Sequence, residues 1–259
     1  MTLNYLTTQN TYSSPNRPAN WFARINPTLV FYVKISTLVL KASRLCKKGT
    51  YTNDHWIQSS INTVKALEAV GGRFEIKNLD VIRKIKSPCI FVSNHMSILE
   101  TFVLPSLIQP YHDVTFVIKE SLLSFPFFKH VMRSRNPISV GRENPREDLK
   151  TVLNEGQNRI NANISVIIFP QTTRSVNFDP KRFNSLGVKL AKRCKVPVIP
   201  VALKTDAWGT GSMFKDFGKI SPQKTVHITF SDPLIVEGSG KEEHRFILDF
   251  IAKRLGAYL

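Results

Sequence analysis

The chain has 259 residues, which is long enough for one large domain or two small ones. A hydrophobic fraction of 42% and a charged fraction of 21% exclude a disordered chain and an ordinary multi-span membrane protein. With 36 lysines and arginines against 19 acidic residues, the net charge of +17 favours an anionic partner: nucleic acid, an anionic membrane surface or an acidic substrate.

Residues 1–20 are polar and contain two prolines, so we predict a loose leader. They lack a basic stretch followed by an apolar core, and a cleaved signal peptide is therefore not expected. The three cysteines, Cys46, Cys89 and Cys194, are too scattered for a disulfide framework or a CxxC metal site. This cysteine usage favours a reducing compartment.

The segment 29–48 is mostly apolar, but lysines interrupt it, and it lacks the run of about 20 apolar residues that a spanning helix needs. Its polar positions are spaced three or four residues apart and form one stripe of a helix: Lys34, Thr37, Lys41, Arg44 and Lys48. A cationic stripe beside a wide apolar face is typical of a helix at the headgroup boundary of a bilayer. The alternatives are a helix buried against the domain, with its lysines reaching solvent, and a true span.

A second helix is predicted over 53–70, with Asn53 or Asp54 as its cap and Gly71-Gly72 at its end. The two helices suggest a membrane-associating segment over 21–72, followed by a larger domain over 73–259. From Gly72 onward, strand-like and helix-like stretches alternate. The strand-like runs are at 73–77, 89–93, 114–118, 164–169, 196–203 and 226–230, and the helix-like stretches at 97–108, 146–161, 182–194 and 241–257.

Several of these strand-like runs, such as CIFVS and SVIIF, are apolar almost throughout. Strands that are apolar on both sides belong in a sheet that is covered on both faces. The alternation of strands and helices therefore predicts an α/β fold with a mixed, largely parallel sheet covered by helices, preceded by an amphipathic two-helix segment.

The run CIFVSNHMSILETF, residues 89–102, combines a buried strand with a polar turn and a helix start. Catalytic groups of α/β folds gather just past the carboxyl ends of strands, which is where His95 lies. If Glu100 lies in the first helical turn, its carboxylate can hydrogen-bond the imidazole and leave the other ring nitrogen to act as a general base. The simpler alternative is a helix-capping Glu100 beside a loop histidine with no catalytic role.

Four blocks along the chain resemble those of the glycerolipid acyltransferases, the lysophosphatidate acyltransferase superfamily. The pattern NHxSxxE, which starts at Asn94, resembles the family's NHxSxxD box. Residues 138–142 (ISVGR) are similar to the second block, 169–175 (FPQTTRS) to the third, and 196–201 (VPVIPV) to the fourth. The four occur in the family's order, and the resemblance covers roughly residues 75–235.

The resemblance implies that His95 is the base that deprotonates a lysophospholipid hydroxyl and that Glu100 orients it. It also implies that Arg142 and Arg174 hold the acceptor's phosphate, to which the guanidinium fork is well matched. The other substrate-binding positions that it implies are Asn94, Ser97, Gln171, Thr172, Thr173 and Ser175. Simpler alternatives are a solvated charge for Arg142 and a strand-end salt bridge for Arg174.

The chain departs from the family pattern at several positions. Glu100 stands where the family has Asp, Gln171-Thr172 where it has Glu-Gly, and the second block lacks its usual glycine. Because Gln171 carries no charge and Thr172 resists positive φ, the turn is expected to differ, and an acceptor with a different headgroup stays an alternative. Acyl transfer remains the expected reaction.

Other patterns narrow the class of protein. The sequence has no HxxxH or CxxC spacing, so a metal site is not expected. It has no GxSxG elbow, which leaves an α/β-hydrolase serine unsupported, and no GxGxxG or Walker loop, so a nucleotide-binding loop is not expected either. The basic stretch 181–195 is open to three interpretations: a phosphate-binding face, a docking site for an acidic acyl carrier protein, or a solvated helix face.

The sequence therefore predicts a membrane-associated acyltransferase of phospholipid biosynthesis, on the cytoplasmic face of the plasma membrane. Its donor is acyl-CoA or acyl carrier protein, its most expected acceptor is 1-acylglycerol-3-phosphate, and no other cofactor and no nucleic acid are expected. The alternatives are an acyltransferase or transacylase for another headgroup, and a basic, non-catalytic protein that binds membranes or nucleic acid.

Overall fold

The computed structural model describes residues 4–16, 18–126, 128–171, 173–211, 216–256 and 258. Eight strands of the described residues form one sheet. They are β1 (Tyr12–Ser13), β2 (Phe74–Lys77), β3 (Ile90–Ser93), β4 (Val114–Lys119), β5 (Ile138–Val140), β6 (Ser165–Ile168), β7 (Val198–Lys204) and β8 (Val226–Phe230).

Helices cover both faces of this sheet. They are α1 (Trp21–Ile25), α2 (Pro27–Lys47), α3 (Asn53–Glu68), α4 (Asp80–Lys84), α5 (Leu99–Ile108), α6 (Lys129–Ser134), α7 (Pro145–Asn161), α8 (Leu186–Cys194) and α9 (Lys241–Gly256). Short 3-10 helices occur at Tyr5–Thr7, Glu120–Leu123 and Pro180–Arg182. The predicted helices at 29–48, 53–70, 97–108, 146–161, 182–194 and 241–257 correspond to α2, α3, α5, α7, α8 and α9.

The strand order is β1-β2-β8-β7-β3-β6-β4-β5. The β1–β2 and β7–β8 pairs are antiparallel, whereas β2–β8, β7–β3, β3–β6, β6–β4 and β4–β5 are parallel. The prediction of a mixed, largely parallel sheet covered by helices is thus confirmed. One strand that the propensity pattern did not identify is β5, whose three residues are too few to show a period.

Alternate residues of the central strands point into two separate cores. On β3, Phe91 packs with α2, α3 and α5, whereas Ile90 and Val92 pack with α7, α8 and α9. All three side chains are buried, because a parallel strand in the middle of such a sheet has no solvent-facing side. This two-sided burial explains why the strand sequences are apolar throughout.

The leader is not loose over its described part, contrary to our prediction. Leu6 is fully buried, and the Asn4 side chain donates to the backbone carbonyl of Ser106. Further along, β1 pairs with β2, and Tyr12 donates a hydrogen bond of 2.6 Å to Glu68 on α3. Short segments of this kind are held by individual contacts, which leave no periodic signal in the sequence.

One apolar face of α2 packs against the rest of the protein. Phe31, Ile35 and Ala42 are buried in the same hydrophobic core as α3 and α5. The alternative of a helix packed against the domain is therefore correct for this face, and the predicted division of the chain at residue 72 does not separate two cores. Lys34 and Lys41 lie on the exposed side of α2, as the stripe predicted.

A different apolar surface is exposed at the start of the helical segment. Trp21, Phe22, Ile25, Leu29 and Val33 are each at least 60% exposed, and most of them recur every four residues along one side of α1 and α2. We call these five residues the α1–α2 patch. Within the described part of the chain, no helix is both long and apolar enough to cross a membrane.

Candidate active site

The residues singled out by the sequence blocks meet at one edge of the sheet. His95 follows β3, Arg142 follows β5, and Arg174 lies in the loop after β6. Because these strands run parallel, their carboxyl ends lie side by side, where α/β folds build their ligand sites. The fold therefore brings together residues that are up to 79 positions apart, from His95 to Arg174.

His95 and Glu100 form a hydrogen-bonded pair. The Nδ1 atom of His95 lies 3.2 Å from Oε1 of Glu100, and the imidazole is 17% exposed, while the carboxylate is fully buried. A carboxylate on Nδ1 fixes the tautomer that leaves Nε2 unprotonated and able to accept a proton. The geometry predicted from the five-residue spacing is thus present.

Glu100 also caps the turn in front of α5, so the two interpretations of this residue are compatible. Its carboxylate accepts the backbone N–H groups of Met96 at 2.6 Å and Ser97 at 2.9 Å, together with the Ser97 hydroxyl at 2.9 Å. Burial alone would raise the pKa of the Glu100 carboxyl. The hydrogen bond and positive charge of His95, with the donors of Ser97 and Thr205, outweigh burial and hold that pKa below its usual value.

Two residues without a predicted role complete the His95 environment. The fully buried Thr205 donates its hydroxyl to Oε2 of Glu100 at 2.7 Å. The ring of Phe169 lies flat against the imidazole, with centroids 4.3 Å apart. Thr205 directly follows β7, and the rule that drew attention to His95, a polar residue just past a strand, would have identified it.

Four predicted substrate-binding residues support the His95 turn and do not line the cavity beside it. Asn94 is 2% exposed, and its amide exchanges two hydrogen bonds with the backbone of Leu203, at 2.7 and 2.9 Å. Its amide is thus engaged in joining the turn to β7, and Ser97 is similarly engaged with Glu100. In the structure both side chains hold the His95 turn in place.

The loop after β6 holds the same turn from its other side. The side-chain carbonyl of Gln171 accepts the backbone N–H of His95 at 2.7 Å, and the backbone N–H of Ser175 donates to the His95 carbonyl at 2.9 Å. The uncharged amide that replaces the family's Glu therefore still accepts a hydrogen bond, and Gln171 is 5% exposed. Gln171 and Ser175 thus hold the backbone of His95 in place. Thr172 lies outside the described residues.

A cavity of about 380 Å³ opens beside His95. Most of its wall is apolar, contributed by α2, α3, α5, β4, α6 and the segment before α6, and includes Leu38, Trp56, Phe102, Phe116, Ile118, Phe128 and Met132. A row of rings extends from His95 through Phe169 and Phe116 to Trp56, with neighbouring centroids 4.3, 6.2 and 6.3 Å apart. Such a wall suits a hydrocarbon chain.

Cationic side chains share this cavity with the apolar wall. Lys119, Arg142 and Arg174 line it together with His95 and Thr173. Arg142 has the left-handed backbone conformation, with φ of 66°, and its N–H donates to the Asp148 carboxylate at 3.0 Å. Burial lowers the pKa of the Arg142 guanidinium while the Asp148 charge opposes this, and an arginine stays protonated in either case.

Arg174 forms an ion pair with Asp216, which lies in the connection between β7 and β8. Both side chains are partly exposed, at 21% and 26%, and both line the cavity. The salt bridge that was the alternative prediction for Arg174 is thus present. It uses the same guanidinium that was predicted to bind the acceptor's phosphate. Nothing in the sequence pattern pointed to Asp216.

The basic stretch 181–195 lies away from the cavity. It forms a short 3-10 helix and α8, which packs into the second core, on the face of the sheet opposite α5. Arg193 donates to the side chains of Gln157 and Asn154 on α7. Among the described residues, no cluster of three or more His, Cys, Asp or Glu side chains is arranged to hold a metal ion.

A family model described as "Acyltransferase" matches residues 73–204, about half of the chain. The chain belongs to this acyltransferase family. Among similar proteins, the acyltransferase is 27% identical over 186 residues to 1-acyl-sn-glycerol-3-phosphate acyltransferase of Pseudomonas aeruginosa, covering 72% of this chain and 68% of that one. It is 31% identical over 121 residues to the Saccharomyces cerevisiae protein of the same name, covering 46% and 39% of the two chains.

The fold of this acyltransferase is similar to that of a solved structure, the 1-acyl-sn-glycerophosphate acyltransferase PlsC from Thermotoga maritima. The TM-score is 0.66 at 20% identity, and the match covers 91% of this chain and 96% of that one. The resemblance inferred from the four sequence blocks is confirmed by the family match, and with it the expectation of an enzyme that transfers acyl groups. The alternative of a non-catalytic basic protein loses its support, because the His95–Glu100 pair is assembled.

Proposed function

We propose that this acyltransferase moves a fatty acyl group from a thioester donor, acyl-CoA or acyl carrier protein, to the free hydroxyl of 1-acylglycerol-3-phosphate. The observation that carries this proposal is the His95–Glu100 pair, in which His95 lines a cavity that has an apolar wall and also contains Arg142 and Arg174. The names of the relatives from Pseudomonas aeruginosa and Saccharomyces cerevisiae, both 1-acyl-sn-glycerol-3-phosphate acyltransferases, support the choice of acceptor.

In the proposed reaction, His95 acts as the general base. Its Nε2 accepts the proton of the acceptor's hydroxyl as the oxygen attacks the thioester carbonyl carbon. The carbon–sulfur bond then breaks, and the imidazolium returns its proton to the departing thiolate, so that the products are the ester and the free thiol. Glu100 stabilises the transient imidazolium, because its buried carboxylate is ionised and lies on Nδ1.

The cavity wall supports the proposed placement of the substrates. We assign the aliphatic and aromatic wall to a hydrocarbon chain, for which apolar burial contributes about 25 cal/mol per Å². The phosphate of the acceptor is assigned to Arg142 and Arg174, with help from Thr173 and Lys119. The enzyme needs no other cofactor in this scheme, since the thioester itself supplies the activated acyl group.

We further propose that the enzyme works at an anionic membrane surface, on the cytoplasmic face of the plasma membrane. The α1–α2 patch offers exposed Trp, Phe, Ile, Leu and Val side chains, and Lys34 and Lys41 lie exposed on the same helical segment. Apolar side chains flanked by lysines are typical of interfacial helices. Acceptor and product are both lipids, so an enzyme at the interface keeps them within reach.

The test is thioester consumption by the purified full chain with a panel of lysolipids, comparing wild type, His95→Ala and His227→Ala. His227 is a half-buried histidine that stacks on Tyr258 and does not line the cavity, so His227→Ala is the matched control. We expect 1-acylglycerol-3-phosphate to be the preferred acceptor, and His95→Ala to lose about 10²–10⁴ in kcat. Preference for a different headgroup would overturn the proposed acceptor, and turnover within twofold of wild type in His95→Ala would overturn the mechanism.

A further inference from the structure

The charged side chains that line the cavity beside His95 are cationic at every described position but one. Its described wall carries Lys119, Arg135, Arg142 and Arg174, and among the described lining residues Asp216 is the one with a carboxylate. Glu100 is nearby in sequence to His95 but is buried beneath it and does not line the cavity. A negative charge in the wall of a site for a phosphate costs binding energy, so the position of Asp216 calls for a function.

Asp216 occupies the place that an anionic ligand would take on Arg174. The guanidinium of Arg174 is paired with the Asp216 carboxylate, and both groups are about one quarter exposed. A carboxylate and a phosphate bind a guanidinium in the same way, through oxygens on its N–H fork. The acceptor's phosphate and Asp216 therefore compete for the same donors.

The residues that directly follow Asp216 are anchored on α2. The ring of Phe217 packs against Tyr32 with centroids 5.7 Å apart, and the Tyr32 hydroxyl donates to the Gly218 carbonyl at 2.7 Å. Ile220 donates its backbone N–H to Thr28 at 3.1 Å. Because the residues that follow it are anchored on α2, Asp216 can leave Arg174 by rotation of its own side chain.

We propose that Asp216 is an internal competitor of the acceptor: its carboxylate neutralises Arg174 in the empty site and is displaced by the phosphate monoester of the incoming lysolipid. This inference rests on the proposed function, in which Arg174 binds that phosphate. In the exchange one ion pair on Arg174 is replaced by another, and no covalent bond changes. Asp216 thereby weakens acceptor affinity and keeps the arginine from binding other anions, which makes it a specificity-determining residue.

The direction in which the acceptor KM changes distinguishes an Asp216 that competes with the phosphate from one that holds Arg174 in place. If Asp216 competes, Asp216→Asn and Asp216→Ala lower the KM for 1-acylglycerol-3-phosphate. If it merely holds Arg174 in place, the same variants raise that KM. We expect a fall of about two- to fivefold, the range set by a partly exposed ion pair. Asp249→Asn, an exposed position on α9 in the opposite layer, changes the net charge equally and is the matched control.

The measurements are acceptor KM values in mixed micelles and the Kd for sn-glycerol 3-phosphate by titration calorimetry. The second probe has the phosphate but no acyl chain, and it needs no turnover. Competition requires that both constants fall in the Asp216 variants and not in Asp249→Asn, and that the KM for 1-monoacylglycerol, which has no phosphate, does not fall. Unchanged or higher constants in the Asp216 variants, or an equal fall in Asp249→Asn, would overturn it.

Arg174→Ala distinguishes a failure of this inference from a failure of the proposed function. A higher acceptor KM in Arg174→Ala, without a lower one in Asp216→Asn, would reject the competition and retain the phosphate site. An unchanged KM and Kd in Arg174→Ala would reject the phosphate site itself, and the competition with it. Arg182→Ala, an exposed arginine paired with Asp179, controls for the loss of one positive charge.

Discussion

The imidazole of His95 lies parallel to the ring of Phe169, with planes inclined by only 15°. Phe116 stacks in turn on Phe169, with centroids 6.2 Å apart. The stack restricts the plane of the imidazole, while the contact with Glu100 fixes which nitrogen faces away from the carboxylate. Two independent constraints thus define the direction in which Nε2 of His95 points.

Phe169→Leu should lower kcat, because leucine keeps the apolar contact but not the flat surface against which the imidazole rests. An aromatic pair contributes about 0.5–1.5 kcal/mol, which corresponds to a loss of about two- to twelvefold. Steady-state rates with saturating substrates measure it. Phe178→Leu removes a ring that packs edge-to-face against Phe183 in the second core and should leave kcat unchanged. Equal losses in both variants would refute the role of the Phe169 stack.

Thr205→Val should reduce kcat by about 10–150-fold, since a hydrogen bond to a charged group contributes about 1.5–3 kcal/mol. Losing this donor raises the pKa of Glu100 toward its usual value, so the acid limb of the pH–rate profile should move to higher pH. Thr205→Ser should restore the wild-type profile. Thr229→Val removes another buried threonine hydroxyl, one bonded to Tyr258, and a comparable shift there would contradict the assignment.

Glu100 should make the stability of the fold depend on pH. Its pKa lies below the usual 4.5, so the ionised carboxylate stabilises the fold above that pH, and this contribution is lost as the pH falls through the lowered pKa. The free energy of unfolding of wild type should therefore exceed that of Glu100→Gln most at neutral pH and approach it in acid. Urea denaturation at several pH values measures this difference. Glu242→Gln, at an exposed position on α9, should show a small and constant difference.

The α1–α2 patch should hold the enzyme on vesicles. Replacing Trp21, Phe22 and Ile25 by serine should lower the partition coefficient at least about tenfold, because each large side chain contributes about 1.5–3 kcal/mol when buried. Vesicle flotation measures this effect. Ile235→Ser with Phe246→Ser removes exposed apolar side chains elsewhere on the surface and should have little effect.

Charge reversal separates the electrostatic part of vesicle binding. Lys34→Glu with Lys41→Glu should weaken binding to anionic vesicles and change binding to neutral ones little, since each lysine near an anionic surface contributes about 1 kcal/mol. Serine variants of the patch should weaken binding to both kinds of vesicle. If neither the serine variants of the patch nor the lysine variants change flotation, this face is not the membrane contact.

The sheet and the centre of the site were predictable because the signals that define them are local. Strands that are apolar throughout, such as β3 and β6, report burial on two sides, and a polar residue just past such a strand reports the ligand-binding edge. The His95–Glu100 contact followed from a spacing within one turn and one helix start. The same rule also identifies Thr205, although its hydrogen-bond partner Glu100 is 105 positions away.

The remaining features depend on contacts that periodicity does not encode. The amphipathic pattern of α2 is the same whether its apolar face covers a bilayer or a protein core, and only the neighbouring elements decide between them. Asn94 and Gln171 look like substrate ligands because they are polar and lie near His95, yet their side chains satisfy backbone groups. Asp216 meets Arg174 across 42 positions, in a connection with no regular pattern.

The pairing of β1 with β2 has a consequence for solubility. β1 lies at one end of the sheet, and its two residues cover part of the outer side of β2. At the other end, β5 has only three residues. Short terminal strands offer little backbone for a second molecule to pair with, so this sheet resists edge-to-edge aggregation. A chain trimmed to begin at α1 would expose the N–H and C=O groups of β2 and would lose the hydrogen-bond partners of Glu68. Self-association of this trimmed chain would show that the leader protects the edge of the sheet.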